Sequence, residues 1–198
     1  MSIIKFNHIF LFALFIRVSY LFAASLINFE PTSCCDWSRY DNISNNIING
    51  NFNLDAGPFV IAPIFPYFVS LIKLLNFEKH ILIIQIIQIF LSSISVIYLM
   101  KITQLLFHKR SIIILVGIIY SIYPFTFWYT FFLGQETIFQ FFFIVSIYYL
   151  TNYLKEEKIN NLIKFSLFFC FSFLTKSHVL IFFPFVFLIF LFKNRNII

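Results

Sequence analysis

Apolar runs of membrane length recur along this chain, at about 6–27, 81–107, 111–131, 137–154, 162–175 and 179–192. About 20 consecutive apolar residues suffice for a helix to cross the hydrocarbon of a bilayer, where every backbone polar group must be satisfied within the segment. The distinctive polar positions fall instead between the first two runs, in residues 28–80. The second part of that stretch, Pro58 to Phe77, is apolar but broken by Pro58, Pro63 and Pro66. Too few apolar residues separate Pro66 from Lys73 to cross comfortably, which predicts an interfacial or re-entrant helix. Upstream, Trp37, Tyr40, Ile43 and Ile47 recur at helical spacing, predicting a short amphipathic helix that lies on the membrane, begins near Asp36 and ends at Gly50. The pattern reads as an all-α, multi-pass transmembrane protein with about six spans and a long first external loop of short interfacial helices, all one domain over 1–198.

Composition supports the same class. The chain is 61% hydrophobic and 11% charged, more apolar surface than a soluble domain of 198 residues can bury. Residues 1–27 resemble a signal peptide, with Lys5 ahead of the run and Ala23-Ala24-Ser25 near its end. Arg17 within the core and the length of the run favour a retained first helix. Arg17 is expected to face protein or to snorkel, since an unpaired charge at mid-membrane costs at least about 2.5 kcal/mol.

Charge then sets orientation. The net charge of +6 comes from basic residues at the ends of apolar runs, which excludes a nucleic-acid partner. With 58–77 not spanning, one side receives nine basic residues (Lys5, Lys101, Lys109, Arg110, Lys155, Lys158, Lys164, Lys193, Arg195) and the other four (Arg39, Lys73, Lys79, Lys176). The positive-inside rule places both termini in the cytoplasm of a cell (inner or plasma) membrane. Glu30, Asp36, Asp41, Asp55, Glu78 and Glu136 then gather on the non-cytoplasmic face, so any chemistry is expected there.

Among these acids Asp36 and Glu136 stand out. Asp36 opens the amphipathic helix, where a capping box with Ser33 would by itself account for an acid. Glu136 follows Gly134 at the start of a span, where a carboxylate either stabilises the helix N-terminus or meets Asp36 across a site. Cys34 and Cys35 are adjacent, which strains a disulfide between them; with Asp36 they offer only a remote soft-metal option, and no metal-ligand spacing is present. Tyr40, Tyr67, Tyr123 and Tyr129 are read as an aromatic belt rather than a sugar platform. His178 is read as a hydrogen-bonding residue.

A set of motifs adds a resemblance. In order these are Asp36-x-x-x-Tyr40, the asparagine–aliphatic run ending in Gly50-Asn51-Phe52, Pro63-Ile64-Phe65-Pro66-Tyr67, and Gln85 or Gln88. Then come Phe107-His108-Lys109-Arg110, Ser121-Ile122-Tyr123-Pro124, Tyr129, Gly134-Gln135-Glu136-Thr137 and Leu174-Thr175-Lys176. Together they resemble the N-terminal portion of GT-C glycosyltransferases, the protein mannosyltransferase and aminoarabinose transferase relatives in particular. The resemblance implies transfer of a sugar from a polyprenyl-phosphate donor to a lipid, glycan or protein acceptor outside the membrane, with inversion. It implies Asp36 as catalytic base, Glu136 as supporting acid or metal ligand, and Lys176 with Arg39 as partners of the donor phosphate. A divalent metal between the carboxylates is a further option; no cofactor is otherwise expected. The chain departs from the family in having Trp37 where many relatives carry a second acid, and in lacking the further spans of longer members. A transporter or flippase, or a non-catalytic truncated membrane subunit, are the rival readings.

Overall fold

The computed structural model describes residues 4–27, 30–31, 35–54, 61–75 and 78–195. The described residues form helices and no strand, as the apolar pattern requires. α1 (Ile4–Leu26), α4 (His80–Leu106) and α7 (Glu136–Glu156) are long and apolar enough to cross a membrane. α5 (Arg110–Ile122) and α6 (Pro124–Phe131) become a fourth such unit if the pair, bent by 42°, is taken as one span. α8 (Ile159–Thr175) is a shorter apolar helix of 17 residues, and α9 (Phe183–Arg195) follows it through a 3₁₀ turn at Ser177–Phe182. Three of the six expected spans are thus single helices of spanning length, one is bent, and two are shorter. The protein is an all-α membrane protein.

Short connections make successive long helices antiparallel. α4 is the hub, packing on α1, α5, α6 and α7, and α8 packs along α7. The end of α1, the start of α4, the end of α6, the start of α7 and the end of α8 therefore share one end of the bundle. α2 (Cys35–Ile48) and α3 (Ile64–Leu75) sit at that end.

The bend between α5 and α6 has a local cause the apolar pattern of 111–131 conceals. Pro124 has no N–H and forces its predecessor out of the helical region, and Tyr123 is extended at φ −66° and ψ 121°. The carbonyls this frees cannot find water within a bilayer. The Thr126 hydroxyl lies 2.9 Å from the Tyr120 carbonyl and 2.7 Å from that of Tyr123, and its single proton is shared between them. Ser92 of α4 donates to the Thr126 carbonyl at 3.0 Å, and Arg17 Nε donates to Ser92 Oγ at 2.8 Å. Arg17 is 0% exposed and also donates to the Ala13 carbonyl at 2.9 Å. Of the two expected solutions for Arg17, the chain adopts the protein-facing one.

α2 does not lie free on a membrane surface. Its apolar stripe of Tyr40, Ile43 and Ile47 packs against Phe65, Val69 and Ile72 of α3, joined by Ile84, Leu133 and Ile138 of the bundle. Each fully buried side chain in this cluster, such as Ile43 or Phe65, contributes about 1.5–3 kcal/mol relative to exposure in water. Gly50, at φ 84°, follows the helix end as expected. α3 has 12 residues, roughly 18 Å of helix against about 30 Å of hydrocarbon, and fits the non-spanning reading of 58–77. Ser33, Cys34, Asp55 and Pro58 lie outside the described residues, and with them the capping box and the Cys34–Cys35–Asp36 alternative.

A buried ion pair fastens α2 to α3. Lys73 is 2% exposed, and its Nζ lies 2.8 Å from Asp41 Oδ1. It also donates to Asn45 Oδ1 at 2.7 Å and to the Asp41 carbonyl at 3.1 Å. His80 Nε2, at the head of α4, is 3.4 Å from the same carboxylate oxygen. Replacing Lys73 by Met is expected to destabilise the protein by about 2–3 kcal/mol, less than the ~3–5 of a fully buried pair because Asp41 keeps some exposure. Combining Asp41→Lys with Lys73→Glu should recover part of that loss. Thermal unfolding in detergent checks both, and wild-type stability of Lys73→Met would remove the pair from any structural role.

Candidate functional site

At the end of the bundle where α2 sits, a cavity of about 590 Å³ opens between three parts of the chain. Asp36, Arg39 and Tyr40 enter from α2, Gln135 and Glu136 from the head of α7, and Lys176 and His178 from the joint after α8; Ile61 completes the wall. All four residues singled out in the sequence, Asp36, Glu136, Lys176 and Arg39, line this one space.

Each is placed by its element. Asp36 lies in the first turn of α2, where a carboxylate is favoured by the helix dipole. It is exposed and carries no ion pair among the described residues. Arg39 and Tyr40 follow three and four residues on, the spacing that puts side chains on one face of a helix. Tyr40 is a correction to the belt reading. It is 5% exposed, sits edge-on to Phe65 at 5.0 Å between ring centroids, and belongs to the core beneath the cavity. Burial first, then the charges of Glu136 and Asp36, push its hydroxyl up from 10.0, with Arg39 opposing. The fold therefore favours the neutral phenol. Its contribution to stability is fully present below pH 10 and is lost as pH rises towards the folded value.

Glu136 is the first residue of α7, and Lys176 ends α8 in an extended conformation at φ −151°. Their side chains meet, Lys176 Nζ donating to Glu136 Oε1 at 3.2 Å, each a little over a quarter exposed. The other carboxylate oxygen, Oε2, is buried without a hydrogen-bond partner among the described residues. Glu136 thus bonds Lys176 directly and shares the cavity with Asp36. Among the described residues no group of three or more His, Cys, Asp or Glu side chains gathers to hold a metal.

The turn between α6 and α7 makes room for this arrangement. A Cβ on Gly134 would lie 2.5 Å from Glu136 Oε2 and 3.1 Å from Trp37 Nε1. Trp37 stacks on Phe132 of the same turn, with ring centroids 3.7 Å apart and planes within 15°. The indole next to Asp36 is therefore seated on the turn that leads into Glu136.

Sequence reasoning did not find Trp37, Gln135 or Tyr40 as parts of the site. Trp37 and Tyr40 carried a signal, three apart at the start of an amphipathic stripe, but that stripe also spelled packing. A larger cavity, about 660 Å³, lies between α1 and α4 against Phe131. Its walls are mostly apolar, with Glu30, Gln85 and Ser25 as polar groups, and it holds none of the four candidates.

Gly134→Ala is expected to push the Glu136 carboxylate off Lys176 and to strain the stacked indole, lowering stability by about 1–3 kcal/mol. Thermal unfolding checks this, and an unchanged midpoint would mean that the turn has space to spare.

No curated protein and no solved structure matches the chain. A family model does, over residues 60–198, a segment that includes Glu136 and Lys176 and begins after α2 with Asp36 and Arg39. That segment is more than half of the chain, and the chain belongs to the family described as dolichyl-phosphate-mannose-protein mannosyltransferase, of the GT-C glycosyltransferase type.

Proposed function

We propose that this protein transfers a sugar from a polyprenyl-phosphate donor to an acceptor hydroxyl on the non-cytoplasmic face of its membrane, with inversion at the anomeric carbon. The family supports glycosyl transfer. The observation that carries the finer reading is the convergence on a single cavity of about 590 Å³ of two cations and one carboxylate with no ion pair among the described residues.

The reaction needs two things of the protein. An acceptor oxygen must lose its proton as it attacks, and a carboxylate within hydrogen-bond reach takes that proton; Asp36 fits because no cation among the described residues neutralises it. As the new carbon–oxygen bond forms, the bond from the anomeric carbon to the donor phosphate breaks, and the departing phosphate carries the negative charge away. Lys176 and Arg39 are placed to receive it, as charge-assisted partners of a phosphate. Negative charge near the sugar also stabilises the oxocarbenium character of the transition state.

Glu136 is assigned the supporting role of holding Lys176 in the cavity through its Oε1, so it acts by aiming the cation. A lipid, a glycan and a protein hydroxyl all meet the chemical requirement for the acceptor.

Turnover of a polyprenyl-phosphate sugar by the purified protein tests the reading. Asp36→Asn should lower kcat by about 10²–10⁴, the usual contribution of a general base. Lys176→Met should lower kcat/KM for the donor by about tenfold or more, corresponding to one charge-assisted contact of ~1.5–3 kcal/mol. Wild-type kcat in a well-inserted Asp36→Asn variant would take Asp36 out of the mechanism.

A further inference from the structure

We infer that Gln85 and Gln88 of α4 are positioning residues that hold the turn between α6 and α7, and through it set the places of Glu136 and Trp37. The activity arm of this inference rests on the proposed transferase reading; the structural arm does not.

The two amides stand out in the apolar first half of a spanning helix, where isoleucines surround them. Gln88 is 0% exposed and Gln85 is 6% exposed, and both lie in the half of α4 nearest the site. Burying an amide without a partner is costly, so such groups persist where they hold something. Three residues apart, they lie on one face of the helix. Gln85 Nε2 donates to the Phe131 carbonyl at 2.7 Å, and Gln88 Nε2 donates to the Gly134 carbonyl at 3.1 Å.

Both acceptors flank the turn itself. Phe131 is the last residue of α6. Gly134 precedes α7, whose N-cap residue Gln135 makes no side-chain capping bond. Within the turn, the Gly134 N–H bonds the Phe132 carbonyl at 2.9 Å, and the Leu133 N–H reaches the Pro31 carbonyl at 3.4 Å. To these bonds the amides of α4 add two more, which tie the spanning helix to the turn. On its other side it carries the Trp37 indole against Phe132 and the Glu136 carboxylate over Gly134. A turn released from α4 would shift both of these at once, and with them Asp36, next to Trp37, and Lys176, bonded to Glu136.

Trp37 provides a reporter, because the chain has two tryptophans and Trp128→Phe leaves Trp37 as sole emitter. In that background Gln85→Met and Gln88→Met, which keep length and volume but remove the donor, are made singly and together. The detergent-purified double variant should show a shifted Trp37 emission maximum and easier acrylamide quenching, at wild-type helicity and elution volume. Turnover of the polyprenyl-phosphate sugar should fall about 10–100-fold in kcat with little change in donor KM, as expected for a misplacement on the order of 1 Å. If the double variant does not fold, Gln88→Met alone carries the same two readouts. Unchanged emission and quenching would overturn the inference, as would a moved Trp37 signal with wild-type kcat. A parent protein without transferase activity would sink the proposed function instead, while the fluorescence arm would still decide whether the amides hold the turn.

Discussion

At Gly134 two side chains compete for the space where any other residue would carry its Cβ. The Glu136 carboxylate comes from the next helix, and the Trp37 indole comes from a segment almost a hundred residues earlier in the chain. Their convergence there brings α2 onto the bundle and fixes where the site can be. Trp37 is held by stacking on Phe132, and Glu136 by its bond to Lys176 at the end of α8. The cavity is therefore an outcome of one tight turn, and its walls come from three separate stretches of sequence.

The surrounding fold is governed by the shortage of water. Several polar side chains drawn into the bundle take partners chosen by geometry rather than by charge. Arg17 faces Ser92 and a carbonyl of its own helix; Thr126 serves the carbonyls at the Pro124 bend, and Ser92 bonds the carbonyl of Thr126. Gln85 and Gln88 do the same for the α6–α7 turn. At the α2–α3 end an ion pair enters the interior, as Lys73 with Asp41, and Asn45 and a backbone carbonyl share its ammonium. Such a pair adds little net stability over apolar packing but makes other pairings of α2 and α3 costly.

Within the site, the two carboxylates have been given unequal surroundings. Glu136 is bound to an ammonium and partly enclosed, whereas Asp36 is exposed and unpaired among the described residues. That division suits a proposed reaction in which one acid must take a proton and the other need only hold a cation. It also leaves Trp37, standing where many relatives carry a second acid, with a positional role: it links the proposed base to the turn.

The sequence by itself determined the class, the helix bounds and the family, because each rests on local information. Continuous apolar runs make spanning helices whatever they later pack against, and the observed elements begin and end within a few residues of those runs. The prolines between 58 and 66 limited α3, and the stripe through Tyr40, Ile43 and Ile47 gave α2 its buried face. Motif order gave the four candidate residues. Tertiary structure alone decided what those residues do to one another. Nothing near Glu136 in the chain shows that Lys176, forty residues on, will take its carboxylate. Lys73 read as a charge that ends an apolar run, although its place seven and eight residues after Pro66 and Phe65 set it on their buried stripe. Gln85 and Gln88 have neighbours in sequence that are all apolar, and their partners lie 46 residues away in a turn. Hydrophobic periodicity reports which face is buried, but a polar side chain takes its partner from another element, and that choice exists only once the helices have packed.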